Sequence, residues 1–318
     1  VPFNYEWIHD YYIRSRTDET TVIPTQLDVP QQLRVFDFVG DNATAFSHIA
    51  QQAKAIVSSD TTGAILFRSL NKAIHDASDF GHLWSDMGFD SVMHISCYNR
   101  KRAAASQGTD FVDTDVPDMV LGPHNEHACN PVPTGRIAFY GLQPAEEGGE
   151  SLLRRNADIE IPTCVRDFIH QHGGILTTRS FPNHTQLLLD NTRHPTSMSW
   201  QERCGTTSPE ECLDFFAQRG MYNATFDDEE TLVVTSVHPG WLDGHWFNHL
   251  EYGFPATMAD GTPFPLDWQL RLLKPRKWQT TSAFKLKRGD WLVLDNRRWQ
   301  HGRLPYKGTR KLIVSYTD

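Results

Sequence analysis

Short runs of β-branched and aromatic residues near both ends of this chain constrain its fold more than any other feature. GAILFRSL (63–70) and RIAFYGL (136–142) lie in the first half, and TLVVTSV (231–237), DWLVLDN (290–296) and KLIVSY (311–316) in the second. Runs of this composition, bounded by turn residues, read as strands. They do not alternate with helical segments as βαβ units would. The expected fold is therefore mainly β with inserted helices, an antiparallel double-sheet roll. Helical spacing occupies the intervals. ATAFSHIAQQAKAIV (43–57) puts Phe46, Ile49, Ala50, Ala53, Ile56 and Val57 on one face. A helix over 162–172 turns Val165, Phe168 and Ile169 inward and stops at Gly173. TSPEECLDFF opens another, with Ser208 as cap, Pro209 in the first turn and Glu211 completing a Ser-x-x-Glu capping box. Residues 100–118 read as an irregular loop and PAEEGGE (144–150) as a turn.

With 318 residues, 39% of them hydrophobic, the chain can bury a sizeable core. It is expected to form a single domain over 1–318, with core strands in about 63–160 and 230–318 and a helical lid in about 160–285. A formal net charge of −9 argues against a nucleic-acid or anionic-membrane surface. No apolar run approaches the roughly 20 residues of a membrane span. Five scattered cysteines (Cys97, Cys129, Cys164, Cys204, Cys212) form no C-x-x-C pair, which favours reduced thiols over a disulfide framework. The opening VPFNYEWIHD lacks the basic-then-apolar plan of a signal peptide. The expectation is a cytoplasmic protein with a small-molecule substrate and neither a nucleic-acid nor a membrane partner, a homo-oligomer being left open. Asn42-Ala-Thr, Asn183-His-Thr and Asn223-Ala-Thr then read as chance glycosylation matches.

Chemistry concentrates in GPHNEHACNP (122–131). Side chains two apart on an extended segment point the same way, so His124 and Glu126 can converge on one ion. On its own the His-x-Glu pattern is weak, and it needs a third donor. LDNRRWQHGRLPYKGTRKLIVSY (293–315) offers His301 before Gly302-Arg303, with Arg310 at the entrance to the last strand. Two histidines and a carboxylate on one face of an iron leave three positions free, which suits a bidentate 2-oxo acid and dioxygen. A guanidinium such as Arg310 presents a fork for the distal carboxylate of that acid.

In ordered pieces the chain resembles the taurine dioxygenase / clavaminate synthase-like family of iron(II)- and 2-oxoglutarate-dependent oxygenases. The pieces are GAILFRSL, PHNEHACNP, RIAFYGLQPAEEGGESLL, SWQERCGT, GHWFNHL and GDWLVLDNRRWQHGRLPYKGTRKLIVSY. The last is similar to the γ-butyrobetaine and trimethyllysine hydroxylase type of C-terminus. The resemblance implies a double-stranded β-helix (jelly-roll) core of the clavaminate synthase-like type. It implies Fe(II) held by His124, Glu126 and His301, 2-oxoglutarate contacted by Arg310 and Ser151, and O2 as oxidant. Ser151 stands where relatives carry threonine. His127 and Cys129 are not expected to be ligands, since a fourth protein donor would close a needed position. Trp246 and Asn248 lie in a segment that relatives place near substrate. Asn125 is a further substrate candidate, and Arg303 either reaches substrate or braces the turn after His301. The implied reaction is hydroxylation of an amino-acid-derived or other specialised metabolite with release of succinate and CO2, desaturation or ring closure being the alternative. Glu126 argues against halogenation. A non-oxidative cupin-like protein and a zinc hydrolase on the same fold are the rival classes. His170 and His172 read as a helix end, and Glu146-Glu147 as a solvated turn.

Overall fold

A computed structural model of the chain describes residues 30–38, 44–59, 62–72, 74–88, 104–106, 109–111, 117, 120–128, 133–190, 198–218, 223–252, 255–278 and 280–317. The first residues, Asn42, Cys97, Cys129 and much of 100–118 lie outside this set, as does the side chain of Phe46.

Two sheets carry the centre of the fold. The larger has seven strands, ordered Arg34–Asp37, Ala64–Arg68, Trp291–Asp295, Arg136–Gln143, Lys311–Thr317, Thr109–Phe111 and Ala104–Ser106. Its pairings are antiparallel except for the first, which is parallel. The smaller sheet has four antiparallel strands, ordered Ser282–Phe284, Ser151–Arg155, Trp299–Arg303 and Leu121–His124.

The period-2 geometry of a strand divides each apolar run between two cores. Leu66, Ile137, Phe139, Leu292, Leu294, Leu312 and Val314 meet Leu153, Phe284 and Trp299 of the smaller sheet. Their neighbours Ile65, Phe67, Ala138, Tyr140, Trp291, Val293 and Ile313 pack with Ile49, Ala53 and Val57 of helix Thr44–Val57 and Phe80, Leu83 and Trp84 of helix Ala77–Asp86. Burial on both faces is why these runs are continuously apolar.

The 160–285 insertion is not purely helical. It contains an antiparallel sheet ordered Asn223–Phe226, Leu232–His238, Ile175–Phe181 and Thr257–Met258. TLVVTSV thus serves this inserted sheet and not either of the two central sheets. Its buried partners are Phe181, Trp200, Cys212 and Phe216. Two further expectations are corrected. Cys204 and Cys212 are joined in a disulfide, because the turn between two short helices folds the residues onto one another. The 100–118 segment contributes two three-residue strands, too short for an alternating pattern to register.

The helix over Thr163–Gln171 ends as expected, with Gly173 at φ +75° and Val165 and Ile169 buried. The Ser208 hydroxyl accepts from the Glu211 amide at 3.3 Å, but Glu211 turns its carboxylate to the Thr206 hydroxyl, so the capping box forms only by half. Asn183 caps helix His184–Leu189 in a complete capping box. Among the described residues no helix is long and apolar enough to cross a membrane.

Candidate metal centre

Three side chains converge at the mouth of the smaller sheet. His301 stands directly opposite His124 in the pairing of Trp299–Arg303 with Leu121–His124, and their ring centroids are 4.5 Å apart. Glu126, in the turn just past His124, brings its Oε2 to 3.3 Å from His301 Nε2 and 3.6 Å from His124 Nε2. All three donor atoms lie within 4.8 Å of one another. Adjacent corners of an octahedron with bonds of roughly 2.1 Å are about 3.0 Å apart, so the spacing fits one small divalent ion. His124 Nδ1 lies 2.9 Å from the Gly122 carbonyl. A proton held there leaves the lone pair on Nε2, facing Glu126. Phe139 packs on the His301 ring, centroids 5.0 Å apart.

The turn that carries Glu126 is fixed by asparagines. Asn296 Oδ1 accepts from the Glu126 amide at 2.7 Å, while its Nδ2 donates to the Glu126 and Thr134 carbonyls at 2.9 and 2.8 Å. Asn125 Nδ2 donates to the Asn296 carbonyl at 2.6 Å and the Trp299 carbonyl at 3.2 Å. This lattice ties the metal turn to the hairpin that delivers His301. His127 adopts φ +56°, a conformation uncommon outside glycine, as the chain reverses after Glu126. Its Nδ1 is 2.6 Å from Thr134 Oγ1 and its Nε2 3.6 Å from the other Glu126 oxygen. Asn296 lies within the stretch LDNRRWQHG (294–302) that delivers His301, and nothing in that stretch marks it as the clamp.

Arg310 and the GGES turn (148–151) stand together. A side chain at Gly149 would meet the Arg310 Cδ at 3.2 Å and Tyr306 Cβ at 3.2 Å. Ser151 is buried at the start of Ser151–Arg155, opposite Arg303. The Arg303 and Arg310 guanidinium carbons lie 4.9 and 5.8 Å from the Tyr306 ring centroid. Burial raises the Glu150 carboxyl above its ordinary range, against the opposing pull of Lys285 and Arg310.

Other sequence candidates fall elsewhere. Trp246 is 1% exposed and packs with Ile169, Ile175 and Met258 in an apolar cluster. Asn248 is buried, its side-chain oxygen accepting from the Leu250 amide at 3.0 Å. Asn125 is fully buried in the frame behind the triad. The neighbour that does reach the triad is His249. Its ring lies 6.0 Å from that of His124, and its Nε2 is 3.0 Å from the Asn125 carbonyl. His172 pairs with Asp260 at 2.8 Å. Glu147 forms an exposed ion pair with Lys307 at 2.9 Å.

No family model matches the chain. It is 24% identical over 291 residues to the dapdiamide synthesis protein DdaC of Enterobacter agglomerans, covering 80% of this chain and 82% of that protein. Of solved structures, asparagine oxygenase (AsnO) overlaps 86% of this chain and 78% of its own at 12% identity, with a TM-score of 0.46. PvcB from Pseudomonas aeruginosa overlaps 92% and 90% at 11% identity, with a TM-score of 0.47. In its ordered motifs and in the donor set those motifs bring together, the chain is similar to the taurine dioxygenase / clavaminate synthase-like iron(II)- and 2-oxoglutarate-dependent oxygenases.

Proposed function

We propose that the protein is an iron(II)- and 2-oxoglutarate-dependent oxygenase that hydroxylates an unactivated C–H bond of an amino-acid-derived or other small metabolite, releasing succinate and CO2. The observation that carries this reading is the meeting of His124, Glu126 and His301, two neutral nitrogens and one anionic oxygen on one side of a common point. That donor set suits ferrous iron with open positions. The two facing sheets support a jelly-roll core, and the reading takes the chain as one cytoplasmic oxygenase domain.

When bound, iron and 2-oxoglutarate supply the oxidising power by decarboxylation of the 2-oxo acid in O2. The chain holds and orients. His124 donates Nδ1–H to the Gly122 carbonyl, so its Nε2 stays a donor to the metal. Asn296 accepts from the Glu126 amide and donates to the Glu126 carbonyl, fixing the peptide groups on either side of its Cα, which limits how far the carboxylate can wander. Arg310 grips the distal carboxylate of 2-oxoglutarate and Ser151 donates a hydroxyl to the same molecule. Arg303, stacked on Tyr306, braces the turn after His301.

The test is anaerobic addition of 2-oxoglutarate to iron-loaded protein, followed by oxygen and a metabolite panel. A weak visible charge-transfer band should form, then decay faster with one panel member as succinate appears. His124→Ala and His301→Ala should remove the band while leaving the melting transition intact. Zinc-dependent turnover without oxygen uptake would overturn the reading.

A further inference from the structure

The peptide group that joins Asn125 to Glu126 is held at both edges, and one of the two holds comes from the 160–285 insertion. The Asn125 carbonyl and the Glu126 amide belong to this one group. It is trans, as is every peptide bond among the described residues, so its C=O and N–H point in opposite directions. At one edge Asn296 Oδ1 accepts from the Glu126 amide at 2.7 Å. At the other, His249 Nε2 lies 3.0 Å from the Asn125 carbonyl oxygen. A carbonyl only accepts, so Nε2 carries the proton and donates. The same oxygen takes the Ala128 amide at 3.4 Å, the turn's own bond. His249 is therefore not needed to satisfy the carbonyl; what it adds is direction. A turn of the Asn125–Glu126 plane changes φ at Glu126, and with it the aim of the carboxylate arm. Such a turn would strain the Asn296 and His249 bonds together.

His249 acts from a fixed seat. Leu250 packs in the apolar cluster of Trp246, Phe264 and Leu273. Asn248 Oδ1 accepts from the Leu250 amide at 3.0 Å, and Gln269 Nε2 donates to the Leu250 carbonyl at 3.3 Å. Next in the chain, buried Glu251 pairs with buried Arg154 at 2.7 Å. Arg154 stands opposite Gln300 in the pairing of Ser151–Arg155 with Trp299–Arg303, its Nη1 3.4 Å from Gln300 Oε1. Gln300 immediately precedes His301. One short segment of the insertion thus reaches both elements that carry the triad. It meets the Glu126 turn through His249, and the His301 strand through Glu251 and Arg154. A buried ion pair adds little net stability, yet breaking it is strongly unfavourable, so the segment is kept from drifting.

We propose that His249 is a positioning residue: it fixes the Asn125–Glu126 peptide from the insertion and so couples the insertion to the aim of the Glu126 carboxylate. This rests on the metal-centre part of the oxygenase reading and not on the reaction. Binding of Mn(II) to the full chain would be followed by calorimetry, and the Co(II) form by its visible d–d spectrum. His249→Phe keeps a ring without the donor; Mn(II) affinity should fall about tenfold and the Co(II) bands should shift. His249→Gln, whose side-chain amide can donate, should restore most of both. Phe216→Leu, in the apolar cluster of the inserted sheet, controls for stability alone: it should lower the melting temperature with ion affinity unchanged. Coupling is reciprocal, so Mn(II) should slow hydrogen exchange over 246–252 in the wild type and not in His249→Phe. Wild-type affinity and spectrum in His249→Phe, a glutamine variant no better than the phenylalanine one, a loss matched by Phe216→Leu, or equal slowing of exchange in both proteins overturns the assignment. A wild type that binds neither ion instead removes the metal-centre reading, and the assignment with it.

Discussion

His124 and His301 face each other across one antiparallel pairing, and the close approach of their strands depends on the residue next to His301. An added Cβ at Gly302 would stand 2.4 Å from the Leu121 carbonyl and 2.8 Å from that of Gly122. Neither backbone atom can yield without moving the strand that ends in His124. The pairing also changes register between His301 and Arg303. Gly302→Ala should therefore push the two imidazoles apart. Overpacking of this kind costs roughly 1–3 kcal/mol. Affinity for a divalent ion such as Mn(II), read by calorimetry, should fall at least tenfold, and a variant binding as wild type would contradict the argument.

Asn296 should matter to metal binding without touching the metal. Asn296→Ala leaves the Glu126 amide, the Glu126 carbonyl and the Thr134 carbonyl without their side-chain partner in a fully buried place. The expected loss is roughly 2–4 kcal/mol of stability, read from urea unfolding. Ion affinity should drop further than in surface variants of equal stability, because the carboxylate loses its backbone anchor. Equal ion affinity in wild type and variant would mean that the turn holds its shape without the clamp.

How much of this was legible beforehand follows from what each interaction needs. Strands buried on both faces announce themselves as unbroken apolar runs, so RIAFYGL, DWLVLDN and KLIVSY were readable. The inserted sheet was readable only in TLVVTSV, because its neighbour Ile175–Phe181 mixes buried, half-buried and exposed residues and carries threonines, serine and arginine, leaving no unbroken apolar run. The residues of the triad could be named from local spacing and ordered motifs. The clamp on them could not, since Asn296 acts through hydrogen bonds to backbone far away in sequence, and no side-chain pattern encodes that. The part played by Trp246 could not be read from sequence for a related reason: a tryptophan near a site and one in the adjoining core have the same sequence signature. The Cys204–Cys212 bond depends on a turn between two short helices, which spacing alone does not fix.

Arg310 should separate co-substrate binding from catalysis. Its side chain is buried against the GGES turn and the Tyr306 ring. Arg310→Ala should raise the KM for 2-oxoglutarate by tenfold or more with a smaller change in kcat. Arg310→Lys should fall between, because a point charge replaces a planar fork. Steady-state succinate formation over a range of 2-oxoglutarate concentrations checks this, and an unchanged KM in Arg310→Ala would remove the residue from the pocket.

His238 should make the fold sensitive to acid. It is 4% exposed at the end of strand Leu232–His238, with Phe247 5.8 Å away and its Nδ1 accepting from the Gly240 amide at 3.0 Å. Burial lowers its pKa to about 4 from an ordinary value of 6.5. The sign follows from proton counting. Above pH 6.5 the ring is neutral in both folded and unfolded chains and adds no pH dependence. As pH falls from 6.5 towards 4 the unfolded chain takes up a proton that the folded chain refuses, so stability is lost, by up to about 3 kcal/mol. His238→Gln keeps an acceptor for the Gly240 amide but cannot titrate. Its urea midpoint should fall less than that of the wild type over this window, and parallel pH profiles for the two proteins would show that the ring is protonated in the folded state.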